Sequence, residues 1–153
     1  MNNNSEEKLN DVFLQLMRIY FIRTHFYFDK LGLYHGQPQI LFSLKMKNGQ
    51  SQKELADKRK VKASTTTVMI KRMEKAGLVE RKQDEKDQRV SRIFLTDKGL
   101  ETCNKVEEFN QELEREFFLG FSEEEKIVLR RLLMQVRDNL KAGCHKHEDE
   151  KYF

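Results

Sequence analysis

Residues 64 to 67 read Ser64-Thr65-Thr66-Thr67, and Lys71 and Arg72 follow one helical turn later. Short hydroxyl side chains donate or accept toward either base of a pair, and a threonine methyl can touch a thymine methyl. Ser and Thr also suit the first turn of a helix. Three consecutive threonines are nevertheless poor helix formers, so the run calls for a second reason. A second set follows at Arg81, Lys82, Lys86, Asp87 and Arg89. Cations here suit phosphates, which position a protein on a duplex without reading its sequence. An arginine on a hairpin tip suits a narrow minor groove, where negative potential is concentrated. Asp87 is placed to pair with Arg89 and fix its rotamer, or to make a turn salt bridge worth little in water.

From Lys58 to Arg92 there are twelve Lys/Arg against five Asp/Glu, a net +7, and the whole chain is only +4, so the remainder carries −3. A basic block inside an otherwise acidic chain is the footprint of a phosphate-binding face. The competing reading is a solvated lysine-rich surface.

The elements that must position these residues can be read from periodicity. Leu9, Val12, Phe13, Leu16, Met17 and Tyr20 recur at helical spacing, and Ile19, Phe21, Ile22, Phe26 and Phe28 make this first helix apolar on more than one face. Such a helix must be covered on both sides, as half of a subunit interface or as the centre of a monomeric core. Gly32 and His35-Gly36-Gln37-Pro38 punctuate the chain, with Pro38 suited to the first turn of a helix carrying Ile40, Leu41 and Leu44. Asn48-Gly49 is a turn pair, and Ser51-Gln52-Lys53-Glu54 is a capping box opening a short helix around Leu55-Ala56. The next helix runs from Ala63 to Ala76, with Thr66 on its core side beside Met69, Ile70 and Met73, and Gly77 ends it. Two short helices with a tight turn make a helix-turn-helix. Leu78 to Lys82 and Val90 to Leu95 read as two strands around a polar tip, Gln83 to Arg89: a wing. Thr96 caps a helix with Leu100, Cys103, Val106, Leu113 and Phe117, and Ser122-Glu123-Glu124-Glu125 opens a last one with Val128, Leu129, Leu132, Leu133, Val136 and Leu140. The fold class is mainly α with a small β-hairpin wing. Greasy helices at both termini are covered together when two copies associate about a two-fold axis.

Asp87-Gln88-Arg89 followed by Leu95-Thr96 and Gly99 forms an Asp-x-Arg … Leu-Thr-x-x-Gly pattern. This pattern resembles that of the multiple antibiotic resistance regulator (MarR) family. The segment Lys75-Ala76-Gly77-Leu78-Val79-Glu80-Arg81 is similar to the family's helix-to-wing junction, and the resemblance spans about residues 9–142. It implies a triangular homodimer whose terminal helices dimerise and whose winged lobes bind a pseudo-palindromic operator in double-stranded DNA, usually as a repressor. On that basis 5–33 and 97–142 are dimerisation helices, 36–96 is the DNA-binding lobe and 143–153 is a polar tail. Thr65, Thr67, Lys71 and Arg72 then face the DNA, with Arg89 in the minor groove. The chain departs from the family at Lys62-Ala63, where many relatives have a serine cap and a proline. It also departs at Val68, where some relatives carry a DNA-contacting arginine, and at Thr66, a position commonly Val or Leu.

Relatives are commonly tuned by small aromatic or phenolic effectors between the dimer helices and the lobe. Tyr20, Arg23, His25, Phe26 and Tyr34 are placed to line such a pocket and serve equally as core or interface. Peroxide-sensing relatives need a first-helix cysteine, which is absent here, and Cys103 reads as a small buried hydrophobe. Cys144, His145 and His147 invite a metal-responsive alternative, although one short tail segment rarely closes a site alone, and no cofactor is expected. A winged module that binds protein rather than DNA is a further alternative. Enzyme chemistry is not expected, since the chain has neither a phosphate-cradling glycine loop nor a nucleophile–base constellation. With no membrane span and no secretory signal, cytoplasmic residence is the expectation.

Overall fold

The computed structural model describes residues 7–144. The elements are α1 (Leu9–Lys30), α2 (Gln37–Met46), β1 (Gln50–Ser51), α3 (Gln52–Arg59), α4 (Ala63–Lys75), β2 (Val79–Gln83), β3 (Ser91–Leu95), α5 (Asp97–Phe117) and α6 (Glu123–Cys144). Among the described residues no helix is long and apolar enough to cross a membrane.

Helix boundaries follow the caps expected from sequence. Pro38 lies in the first turn of α2. Ser51 and Glu54 exchange both capping-box bonds at 3.2 and 2.7 Å. Ser122 and Glu125 repeat the arrangement at 2.8 and 3.2 Å. Gly77 ends α4 at φ 72°, with its own amide on Glu74 O and the Leu78 amide on Met73 O, the paired bonds of a Schellman turn. By contrast α4 begins without a side-chain cap at Lys62, as the Lys62-Ala63 departure suggested.

The sheet has three strands, not two. Its antiparallel order is β1-β3-β2, with Gln50 opposite Ile93 and Arg81 also opposite Ile93. β1 is two residues long and carries no alternating pattern of its own. It is held by the fully buried Gln50, whose amide nitrogen donates to Ser43 O and Lys47 O at 2.7 Å each and so caps the end of α2. β2 lies one residue further along than its sequence pattern suggested, and β3 starts one residue later but ends at Leu95 as expected.

One contiguous core joins Leu33, Ile40, Leu41, Leu44, Leu55, Ile70, Met73, Leu78, Val79, Ile93, Cys103 and Val106. The first half of α5 therefore belongs to the lobe's core. Leu100 and Phe117, expected on the buried stripe of α5, are 42% and 38% exposed. α1 runs antiparallel to α5, with Tyr27 stacked on Phe109 at 3.9 Å and Tyr20 near Phe117 at 5.8 Å. The other faces of α1 and nearly all of α6 lie open. Leu14, Ile19, Phe21, Ile22, Ile127, Val128, Leu132, Leu133 and Val136 are each between 42% and 58% exposed.

Candidate nucleic-acid interface

The second helix of the helix-turn-helix, α4, buries only Thr66, Ile70 and Met73. At 3.6 residues per turn the opposite side is occupied by Ser64, Val68, Lys71 and Lys75, with Thr65 and Arg72 beside them, and all six are exposed. Among the described residues no carboxylate pairs with Lys60, Lys62, Lys71, Arg72, Lys75, Lys86 or Arg89. Their charge is thus available to phosphates. The uncapped amides at the start of α4 add the positive end of the helix dipole.

Several side chains expected to contact nucleic acid are engaged within the protomer. Thr66 is fully buried and its hydroxyl has no partner among the described residues, so it serves the core and leaves the contact set. Arg81 is held by Glu74 through bonds of 3.1 and 2.9 Å, which raises the arginine's pKa further. Lys82 pairs with Glu80 at 2.6 Å and lies 5.2 Å above the Phe94 ring. Arg72 remains exposed and sits 5.1 Å from the ring centre of Tyr34, a cation–π contact that steadies it.

A polar chain across the lobe went unread in the sequence. Thr67 donates its single hydroxyl proton to Ala63 O at 2.9 Å. Gln52, 3.1 Å away, must therefore offer its NH2 to Thr67 and its carbonyl oxygen to the Arg81 guanidinium at 2.9 Å. Glu74, Arg81, Gln52 and Thr67 so tie α3, α4 and β2 together. Gln52 sits inside a capping box, and nothing in its local pattern marks it as the centre of such a network.

The wing has a similar anchor. Asp87 does not pair with the guanidinium of Arg89; its carboxylate accepts the Arg89 amide at 3.0 Å, which shapes the turn and leaves the guanidinium exposed. Asp84 accepts the amides of Lys86 and Asp87 at 2.8 and 2.9 Å and also binds the Arg92 guanidinium. Arg92 in turn donates to Gly49 O at 3.0 Å and lies 3.7 Å from Glu54. Charge-assisted bonding by Arg92, reinforced by the two amides, holds the Asp84 carboxyl at about 2. The Ser51 amide and Lys47 likewise hold Glu54 at about 2. Through Arg92 the wing tip is hung on the capping box of α3.

The motif Leu95-Thr96-x-x-Gly99 has a direct physical reading. Thr96 accepts the Gly99 amide at 3.0 Å and donates to Gly77 O at 2.6 Å, while its own amide reaches Leu78 O at 3.2 Å. α5 thus begins against the backbone that leaves α4, and a Cβ at position 99 would overlap the Leu78 carbonyl.

The five residues considered for an effector pocket do not converge within the protomer. Tyr20 and Arg23 face Phe117 and Glu116 of α5, His25 stacks on Phe21, Phe26 lies under Lys30, and Tyr34 under Arg72. Among the described residues no group of three or more His, Cys, Asp or Glu is arranged to hold a metal. His145, His147 and the side chain of Cys144 lie outside the described residues. Cys103 is fully buried, and burial pushes its thiol pKa up, away from the reactive thiolate.

Comparison with known proteins agrees with this geometry. A family model described as MarR family matches residues 33–91. The uncharacterized HTH-type transcriptional regulator YsmB of Bacillus subtilis (strain 168) is 39% identical over 88 residues, covering 58% of this chain and 60% of that one. The HTH-type transcriptional regulator PecS of Dickeya dadantii (strain 3937) is 35% identical over 116 residues, 74% of this chain and 70% of its own. The HTH-type transcriptional repressor IacR of Pseudomonas putida is 30% identical over 104 residues, 68% and 62% of the two chains. Among solved structures, a MarR protein from Peptoclostridium difficile DA00132 superposes with a TM-score of 0.70 at 28% identity, covering 95% of both chains. A MarR family transcriptional regulator from Listeria monocytogenes complexed with 26mer DNA gives 0.66 at 27% identity, over 88% of this chain and 89% of that one. The chain belongs to the MarR family of winged helix-turn-helix transcriptional regulators.

Proposed function

We propose that this protein is a repressor that binds a pseudo-palindromic operator in double-stranded DNA as a homodimer. The observation that carries the reading is the outward line of α4, where exposed Ser64, Thr65, Lys71, Arg72 and Lys75 face away from the core without acidic partners among the described residues. Ser64 and Thr65 supply hydrogen bonds to base edges near the start of α4, the end of a recognition helix that usually meets them. Lys71, Lys75, Lys60 and Lys62 neutralise phosphates, and Arg89 extends from the wing toward the minor groove. The solved Listeria relative on a 26mer DNA supports this use of the fold.

The dimer follows from the open faces of α1 and α6. Apolar side chains along two long helices leave far more hydrophobic surface than a monomer ordinarily tolerates. A groove between α5 and α6, lined by Phe118, Ile127, Leu133 and Met134, adds to it. A second copy laid about a two-fold axis covers these faces and presents two α4 helices, which is why the operator has two related half-sites. A dimer seated on such a site excludes other proteins from it, and the relative named as a repressor is consistent with that outcome.

The test is fluorescence anisotropy on genomic fragments at two salt concentrations, beside sedimentation velocity. Tight, salt-steep binding confined to a few fragments is expected, from a species of twice the chain mass. Equal and weak binding to all fragments, or a monomer that selects its fragment, overturns the corresponding half of the proposal.

A further inference from the structure

The centre of the outward line on α4 is apolar. Val68 is 50% exposed, and its neighbours at i−4, i−3, i+3 and i+4 are Ser64, Thr65, Lys71 and Arg72, all exposed and polar. A β-branched residue here gains nothing from the core and costs helix propensity. A polar side chain would suit an exposed site in water better. The adjacent Thr67 adds a second constraint. Its hydroxyl proton is engaged by Ala63 O and it accepts from Gln52, which Arg81 and Glu74 hold in place. It therefore has no proton to offer a purine N7 or O6. Between the hydroxyls near the start of α4 and the long cations of its second half, the mid-helix surface presents methyl groups.

Base edges in the major groove offer one apolar feature, the 5-methyl group of thymine. We propose that Val68 is a specificity-determining residue and reads a thymine methyl through apolar contact, one thymine in each half-site. The inference rests on the DNA-binding reading above. It adds a chemical prediction that reading does not make: at one position, recognition depends on a methyl group and on no hydrogen bond.

The experiment begins by selecting tight duplexes from a randomised library with the full-length protein. Each thymine of the selected duplex is then replaced singly by deoxyuridine, which removes the methyl and leaves every hydrogen-bonding group. Val68→Ala serves as the partner perturbation, since alanine is the better helix former and the site is exposed. With the wild-type protein, one thymine per half-site should respond, its loss weakening binding about fourfold, the effect of exposing one methyl. Val68→Ala should bind the parent duplex more weakly and be insensitive to deoxyuridine at that same position. The proposal is overturned, with DNA reading intact, if the wild type selects a sequence yet no deoxyuridine matters, or if Val68→Ala keeps the same sensitivity. A protein that selects no sequence at all overturns the DNA-binding reading itself, and this inference with it.

Discussion

Replacing Gly99 by alanine places a methyl carbon inside the Leu78 carbonyl group, 2.9 Å from its carbon and closer still to its oxygen, with Leu95 Cδ2 at 3.2 Å. The obstacle is backbone, so no rotamer change relieves it. α5 must instead move away from the turn after α4. That movement stretches the Thr96 amide bond to Leu78 O and the Thr96 hydroxyl bond to Gly77 O, now 3.2 and 2.6 Å. Losing both costs about 2 kcal/mol at roughly 1 kcal/mol each. Disturbing the packing of Leu78 and Val79 beneath them adds about 1 kcal/mol. Against this, alanine is favoured over glycine in a helix by up to about 1 kcal/mol, which leaves a net loss of about 2 kcal/mol. For a chain of this size that is a fall of about 4–8 °C in melting temperature. The control is Gly143→Ala, where the added methyl meets nothing within 4 Å and the melting temperature should hold or rise slightly. Thermal unfolding followed by circular dichroism compares them at one protein concentration. A Gly99→Ala variant that melts at or above the wild type refutes the close-approach reading of the motif.

Arg89→Ala should weaken operator binding about tenfold or more while the sedimentation coefficient stays that of the wild-type dimer; unchanged affinity removes the wing from the mechanism. Leu133→Glu puts a charge on a side chain 44% exposed in the protomer and should raise the dimer dissociation constant at least about a hundredfold. Unaltered self-association in sedimentation equilibrium would show that α6 is not at the interface. Asp84 is held at about 2 against an ordinary 3.8, so its contribution to wing order is complete above pH 3.8 and is lost as pH falls toward 2. Carboxyl NMR should place its midpoint near 2, with the Lys86 and Asp87 amides shifting in step, and a midpoint at the ordinary value would dissolve the Asp84–Arg92 anchor.

Much of this molecule is local, and what is local could be read in advance. The caps at Ser51, Thr96 and Ser122, the proline in α2 and the left-handed Gly77 act within a few residues of themselves, so the six helices and the wing were legible. So was the burial of Thr66, because a 3.6-residue period sets it beside Ile70 and Met73. What only tertiary structure decided are the partners of long polar side chains. β1 exists because the distant β3 pairs with it and because a buried Gln50 caps α2. Arg81 and Arg92 look identical in sequence to Arg89, whose guanidinium pairs with no carboxylate among the described residues, all three lying in one basic stretch. Arg81 and Arg92 are nevertheless taken up by Glu74, Gln52, Asp84 and Gly49, while Arg89 is left exposed. Helix periodicity and capping are set by neighbours along the chain, whereas the pairing of a charge depends on which groups the fold brings within a few ångströms of it.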